Sequence, residues 1–598
     1  MQSQNNLSQG TSAGPSSGQS PVNLTPDCRS NTPPDASHRK LVLSDDWRIF
    51  IAFPCFILGY LGATGNLWTG PRLEDDNQIL RLQIELEEGG FFAVLVDELE
   101  SRWGMQRLLP TYCVQKVVLA HIFGANFTAW TIWNGLVGAA TGCLLYLFMR
   151  TWHYSYFESI VFALLTILGE QSILWWRTLH GEGIGMLLLA ASLVVMARRV
   201  NIGKLRFELV FCILLTLAVL CKESFVLLIP ALLFLKLWKT YQLPQTRFVG
   251  ALRANLLSIV WLIGVTATVG TVILFVFRTT GFSYAGWEGF DGERFFVTWS
   301  QYAWVMNSWL IVPLLAAFVM TIFLPPGDAK SSLTTPRFNR TFYSFLCAWI
   351  FCLLVVLPQL LLYMKTGISN EMTSEADFSR YIVPGILGYA FAVAHTLCLV
   401  RQQPSRWIWP GRLATAAVVL ALLVNSVVAY REGRVYADYS HTNDRWFETI
   451  ETNTDPNDPI VLVYLNSADG EYPTQVALRV YYILSQRHGR SNFYCCPIPP
   501  EPSVSAGAAN AKRDDTRYHG MKLHAINDLS VSVPINTILI LNWGKIVNIP
   551  GPVGPTLDKL LPQLQPTWFQ RSEFRREQHP HHHVSYFRTE PPSRPQPD

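Results

Sequence analysis

Leu256–Phe277 reads LLSIVWLIGVTATVGTVILFVF, a run without one charged side chain. Wound as a helix, it satisfies its own backbone hydrogen bonds and is long enough to cross the roughly 30 Å of bilayer hydrocarbon. Similar runs recur on both sides of it. They are Phe50–Leu67, Asn134–Phe148, Phe157–Trp175, Gly183–Ala197, Phe207–Leu220, Phe225–Leu237, Ala303–Leu324, Phe342–Tyr363, Tyr381–Leu399 and Ala414–Ala429. The pattern predicts an α-helical polytopic membrane protein with about eleven transmembrane helices. Two of the runs are short, so the number is open by one or two.

Composition agrees with lipid as the solvent. Of 598 residues 50% are hydrophobic and only 15% charged, against about 25% charged in ordinary globular domains; the mean hydropathy is +0.21. A net charge of +4 and no basic stripe interleaved with stacking aromatics exclude nucleic acid as a partner. The cysteines inside runs (Cys143, Cys212, Cys347, Cys352) read as small buried hydrophobes. Cys495 and Cys496 have no zinc-ligand spacing with a nearby histidine, and His579, His581, His582 and His583 read as a solvated tail, so neither group is read as a metal site.

The chain divides into three regions. Residues 1–45, rich in Ser, Gln, Pro, Asn and Gly, read as a disordered cytoplasmic tail without a signal-peptide pattern. Residues 46–432 form the transmembrane region, with an outer loop at 70–112. Residues 433–598 are expected to form a small extracytoplasmic α/β domain with a flexible tail. Its β-like runs are Ile460–Tyr464 and Thr537–Leu541, and its helix-like stretch is Gln475–Gln486. It carries no phosphate-binding loop, G-x-S-x-G elbow or zinc motif.

Orientation is set by the positive-inside rule. Alternate connections collect Arg150; Arg198, Arg199, Lys204 and Arg206; Lys236, Lys239, Arg247 and Arg253; Lys330, Arg337 and Arg340; and Arg401, Arg406 and Arg412. These are assigned to the cytoplasm together with the N-terminus. The longer, more acidic and aromatic connections then lie outside, as does everything after about Arg431.

The first outer connection holds Glu74-Asp75-Asp76, three consecutive acids directly after the first span. A solvated loop ending in an acidic helix cap is the plain alternative. The next thirty residues point further: Ile79, Leu82, Leu86, Phe92, Leu95, Val96, Leu99 and Trp103 repeat at helical spacing among acids, as in helices lying along a membrane surface. The acids are thereby held at headgroup level. Other charged elements lie at span ends on the same face: Arg107-Leu108-Leu109-Pro110, Cys221-Lys222-Glu223-Ser224 and Ser379-Arg380-Tyr381-Ile382-Val383-Pro384-Gly385. Snorkelling charges or aromatic anchors would account for each of these singly.

Together these elements resemble the GT-C membrane glycosyltransferases, in particular the protein mannosyltransferase and lipid A aminoarabinose transferase branches. The resemblance runs over roughly residues 48–430. It implies a sugar carried on a polyprenyl phosphate, transferred outside the membrane to a glycan, lipid or protein acceptor. It makes Asp75 or Asp76, with Glu74 beside them, the base that takes the acceptor's proton. Arg380, with Lys222 and Tyr381, would bind the lipid phosphate. Arg177, in Trp175-Trp176-Arg177-Thr178-Leu179-His180-Gly181-Glu182, and Trp287 and Glu288, in Ser283–Asp291, are weaker candidates for the sugar or acceptor side. No cofactor is required; a divalent metal ion is left open. The expected location is a bacterial inner (plasma) membrane. The competing readings are a multi-pass transporter and a non-catalytic lipid- or glycan-binding membrane protein. No internal repeat favours the first.

Overall fold

The computed structural model describes residues 36–70, 77–104, 107–202, 204–243, 247–277, 292–323, 335–364, 375–402 and 408–453, and short segments beyond them. For 36–46, 375–381 and all strand residues the description is of the backbone. The helices are α1 (Ala36–Thr64), α2 (Asn77–Gly104), α3 (Pro110–Phe123), α4 (Phe127–Thr151), α5 (Tyr156–Ile167), α6 (Ile173–Trp176), α7 (Gly181–Ile202) and α8 (Leu205–Val219). Then come α9 (Ile229–Tyr241), α10 (Phe248–Ala254), α11 (Leu256–Thr271), α12 (Gly292–Val305), α13 (Ile311–Phe323), α14 (Thr335–Met364), α15 (Glu375–Arg401) and α16 (Ile408–Asn453).

Among the described residues eight helices are long and apolar enough to cross a membrane, or ten when two bent pairs are each taken as one span. The chain is thus an α-helical protein with the helices of a membrane protein. The expected run Phe207–Leu220 is α8, whose 15 residues rise only about 22 Å and fall short of a bilayer. The bent pairs are α5 with Glu170–Trp176, at 76°, and Phe295–Val305 with Ser308–Thr321, at 70°. Each bend has a left-handed residue, Gly169 (φ 116°) or Asn307 (φ 52°).

Helix α15 is the axis of the bundle, for residues 382–400 are all buried. Helices α11 and α16 are peripheral: Val260 and Val427 are more than half exposed although apolar, as side chains solvated by lipid would be.

Charged connections gather at one end of the bundle. Arg401 pairs with Glu158 at 2.5 Å, and Lys239 Nζ lies 4.8 Å from the Trp152 ring and 4.9 Å from the Trp238 ring. Lys236, expected in a connection, lies instead inside α9. Fully buried, it donates to Glu208 (2.5 Å) and Ser258 Oγ (2.6 Å), and Arg199 completes the cluster at 2.9 Å from Glu208. A cation withdrawn from water persists only with such partners.

Helix α16 has 46 residues, and it crosses the expected boundary at 432/433 without interruption. Beyond it, strands β1 (Ile460–Leu465), β2 (Phe493–Ile498), β3 (Lys522–Leu523), β4 (Thr537–Leu541), β5 (Phe574–Gln578) and β6 (Val584–Thr589) form one sheet in the order β3-β2-β1-β4-β6-β5. The first four run parallel, and β6 is antiparallel to both β4 and β5. Parallel neighbours require crossover connections of a dozen or more residues. Most of the stretches that make them, with most of Gln475–Gln486 and the histidine-rich 579–583, lie outside the described residues.

Candidate functional site

At the opposite end of the bundle three of the charged sequence elements meet. Arg107 grips Glu223 with two nitrogens, Nε to Oε1 at 2.5 Å and Nη2 to Oε2 at 3.3 Å, the fork geometry in which guanidinium holds a carboxylate or a phosphate. Lys222 Nζ lies 2.7 Å from Glu182 Oε1. The loops that carry these residues touch through their backbones. Thr111 N donates to Leu220 O at 3.2 Å, and a Cβ at Gly181 would stand 2.5 Å from Cys221 O, so only glycine fits there. Leu179 holds a left-handed φ of 58°, costly for a branched side chain, and its carbonyl is fixed by Tyr112 OH at 2.7 Å. Arg177 is buried, and its carbonyl accepts from Asn134 Nδ2 at 3.0 Å.

The described residues on either side of the acidic motif in the sequence are each anchored. Upstream, α1 ends at Gly65 (φ 85°), and Asn66 Nδ2 donates to Gly433 O on α16 at 2.7 Å. Ser440 Oγ donates to Gly70 O at 3.0 Å, and the Asp444 carboxylate packs so tightly on Gly70 that a Cβ there would lie 2.5 Å from it. Downstream, Gln78 Oε1 accepts from Lys116 Nζ at 2.8 Å and from Arg102 Nη2 at 3.1 Å. Lys116 also donates to Glu98 at 2.8 Å, and Arg81 completes that carboxylate's ion pairs. Burial alone would raise the Glu98 pKa; Lys116, Arg81 and Arg102 outweigh it and hold the group down at about 2. This cluster locks the two arms of α2, which turn at Gly90 (φ 76°), onto α3. The second arm leaves Phe92, Val96 and Trp103 exposed.

Glu74, Asp75 and Asp76 themselves lie outside the described residues, as do Trp287 and Glu288. Arg380 and Tyr381 lie in α15 by their backbone alone. Arg380 is about a turn and a half before Gly385, where a Cβ would be 3.1 Å from the Tyr302 ring on α12. Of the expected site residues, Lys222 and Arg177 are therefore the two whose surroundings can be described, and they share one end of the bundle.

No protein-family model matches the chain, and no curated protein matches it.

Sequence reasoning passed over Asp444 and the Glu98–Lys116 pair, and met Glu182 only as the acid that ends the Trp175–Glu182 stretch. Glu182 is the last residue of an aromatic stretch and looks like a loop acid until Lys222 is set against it. Among the described residues no three His, Cys, Asp or Glu side chains cluster as metal ligands. A cavity of about 20 Å³, lined by Gly138, Thr141, Thr166, Gln171, Trp175 and Val383 among others, has room for one water and none for a sugar.

Proposed function

We propose that this protein is a membrane glycosyltransferase of the GT-C type. It moves a sugar from a polyprenyl-phosphate donor to a glycan, lipid or protein acceptor on the extracytoplasmic side of a bacterial plasma membrane, with the N-terminus cytoplasmic and the C-terminal sheet outside as a small α/β domain. The observation that supports this reading best is the meeting of Arg107–Glu223 and Lys222–Glu182 at the bundle end that also anchors both flanks of Glu74-Asp75-Asp76.

Asp75 or Asp76 takes the acceptor hydroxyl's proton as that oxygen bonds to the anomeric carbon, with Glu74 adding to the local negative charge. The bond from the anomeric carbon to the phosphate oxygen breaks, and the lipid phosphate leaves with the electron pair. Arg380 and Lys222 stabilise that charge, with Tyr381 beside them at the headgroup. Arg177, Trp287 and Glu288 belong to the sugar or acceptor side.

The test is mass spectrometry of lipid extracts and envelope glycans from cells with and without the gene, complemented by the parental protein, Asp75→Asn or Asp76→Asn. A sugar lost on deletion, restored by the parental protein and not by at least one variant, with its lipid-phosphate donor accumulating, is the expected result. Unchanged glycans and donor pools sink the reading. Two bent spans that meet inside the bundle favour transport as the second reading, since broken helices at mid-membrane serve that purpose in many transporters.

A further inference from the structure

Helix α8 ends beside Cys221-Lys222, so its first turn lies at the other end of the bundle, where α10 leads into α11. The two helices enter side by side. Ser258 Oγ donates to Glu208, Cys212 Sγ lies 3.6 Å from Ser258 Oγ, and Trp261 Nε1 donates to Thr216 Oγ1 at 3.1 Å. Both therefore run into the membrane in the same direction. Arg199 ties their entrances together, with Nε on Glu208 at 2.9 Å and Nη2 on Ala254 O at 3.4 Å.

Each helix exposes the same pattern, an arginine above an apolar stripe. On α8 the exposed Arg206, Leu209 and Ile213 share one face. On α11 the stripe is Leu256, Val260 and Ile263, with the exposed Arg253 three residues before it at the end of α10. Arg206 lies over the Phe207 ring at 5.1 Å, and neither arginine pairs with a carboxylate among the described residues. The stretches 198–208 and 236–255 hold eight cations and one acid, and that acid, Glu208, is already held by Lys236 and Arg199. The surface thus calls for an anion above and hydrocarbon below. A soluble acidic partner docked on the arginines would stop short of Ile213, which lies seven residues and about 10 Å further along α8; an acyl chain continues down the stripe.

We propose that Arg206 and Arg253 bind the phosphate of an anionic phospholipid in the leaflet at this end, with its acyl chains along Leu209 and Ile213 on one side and Leu256, Val260 and Ile263 on the other. Guanidinium holds phosphate through paired N–H donors, and basic positions at span ends attract anionic headgroups. The buried Glu208 cluster fixes the two helices to each other, so the arginines are held ready for the lipid. The site lies at the end opposite Lys222 and does not depend on the donor reading.

The test is native mass spectrometry of the full-length protein in detergent, titrated with dioleoylphosphatidylglycerol or with dioleoylphosphatidylcholine, which has the same chains and no net charge. The parental protein should bind the glycerol lipid about tenfold more tightly. Arg206→Gln combined with Arg253→Gln should erase that preference and leave the choline-lipid affinity unchanged, which also shows that the variant is folded. Arg206→Lys with Arg253→Lys should keep most of it. Arg406→Gln with Arg412→Gln removes two cations from another connection assigned to the same side and should leave the preference intact. If this second pair erases it equally, the attraction is diffuse charge and the site is overturned. A Gln pair that keeps the preference, or that loses both lipids alike, overturns it as well. Equal binding of the two lipids by the parental protein would leave the arginines to a soluble acidic partner, and it too overturns the lipid site.

Discussion

Asn307 and Asn425 are hydrogen-bonded, Nδ2 to Oδ1 at 2.7 Å, and Asn425 Nδ2 donates in turn to Leu168 O at 3.2 Å. One amide thus joins the breaks of both bent spans, which are 118 and 257 residues away in sequence. Backbone groups freed by a broken helix need partners where no water is available, and a buried carboxamide serves both a donor and an acceptor. Tyr389 OH, donating to Asn307 O at 3.0 Å, extends the chain of bonds to the central helix.

Asn425→Leu should therefore lower stability by about 1–3 kcal/mol, the cost of stranded polar groups. Thermal unfolding in detergent measures it. An unchanged Tm would mean that the amide is dispensable at the junction.

Glu98 gives a pH dependence with a definite sign. Its folded pKa of about 2 lies below the ordinary 4.5, so its ion pairs stabilise fully above pH 4.5. That contribution disappears as pH falls from 4.5 toward 2. Glu98→Gln should flatten the stability curve in that window. Protease resistance of the α2–α3 segment, followed from pH 6 to pH 3, is the readout.

Lys222→Ala should lower stability by about 1–3 kcal/mol by removing the ammonium that pairs with Glu182, and Glu182→Ala added to it should recover much of the loss. Stability restored without transfer would assign Lys222 a role in the reaction. Stability and transfer restored together would assign it to the fold alone.

Gly181→Ala sets a methyl group against the Cys221 carbonyl, at 2.5 Å, where backbone cannot swing aside. The expected cost is about 1–3 kcal/mol. Gly264→Ala on α11 meets nothing within 4 Å, so it should be neutral or stabilise the helix by up to about 1 kcal/mol. Paired melting curves make the comparison.

Gly70→Ala should push the Asp444 carboxylate, 2.5 Å from the new methyl group, off the upstream anchor of the acidic loop. Complementation of a deletion strain should fail with Gly70→Ala and improve with Gly70→Ala combined with Asp444→Ala. Full complementation by Gly70→Ala alone would mean that the loop does not need this anchor.

Much of this protein was legible in the sequence because lipid imposes a rule that local composition obeys. An uncharged run such as Leu256–Phe277 has one stable form in a bilayer, and the order of such runs is read directly from the chain. Even the bent pairs appear as apolar runs, although the runs do not reveal the breaks at Gly169 and Asn307. The sequence could also mark Lys222 and Arg177 as charges at span ends. It could not say that Glu182 lies beside Lys222, or Glu223 beside Arg107, because partners far apart in the chain are chosen by packing. Nor could it reveal why Gly70, Gly181 and Asn425 stand where they do. Each is defined by a close approach or a hydrogen bond from another helix, and only the tertiary structure decides which helices meet.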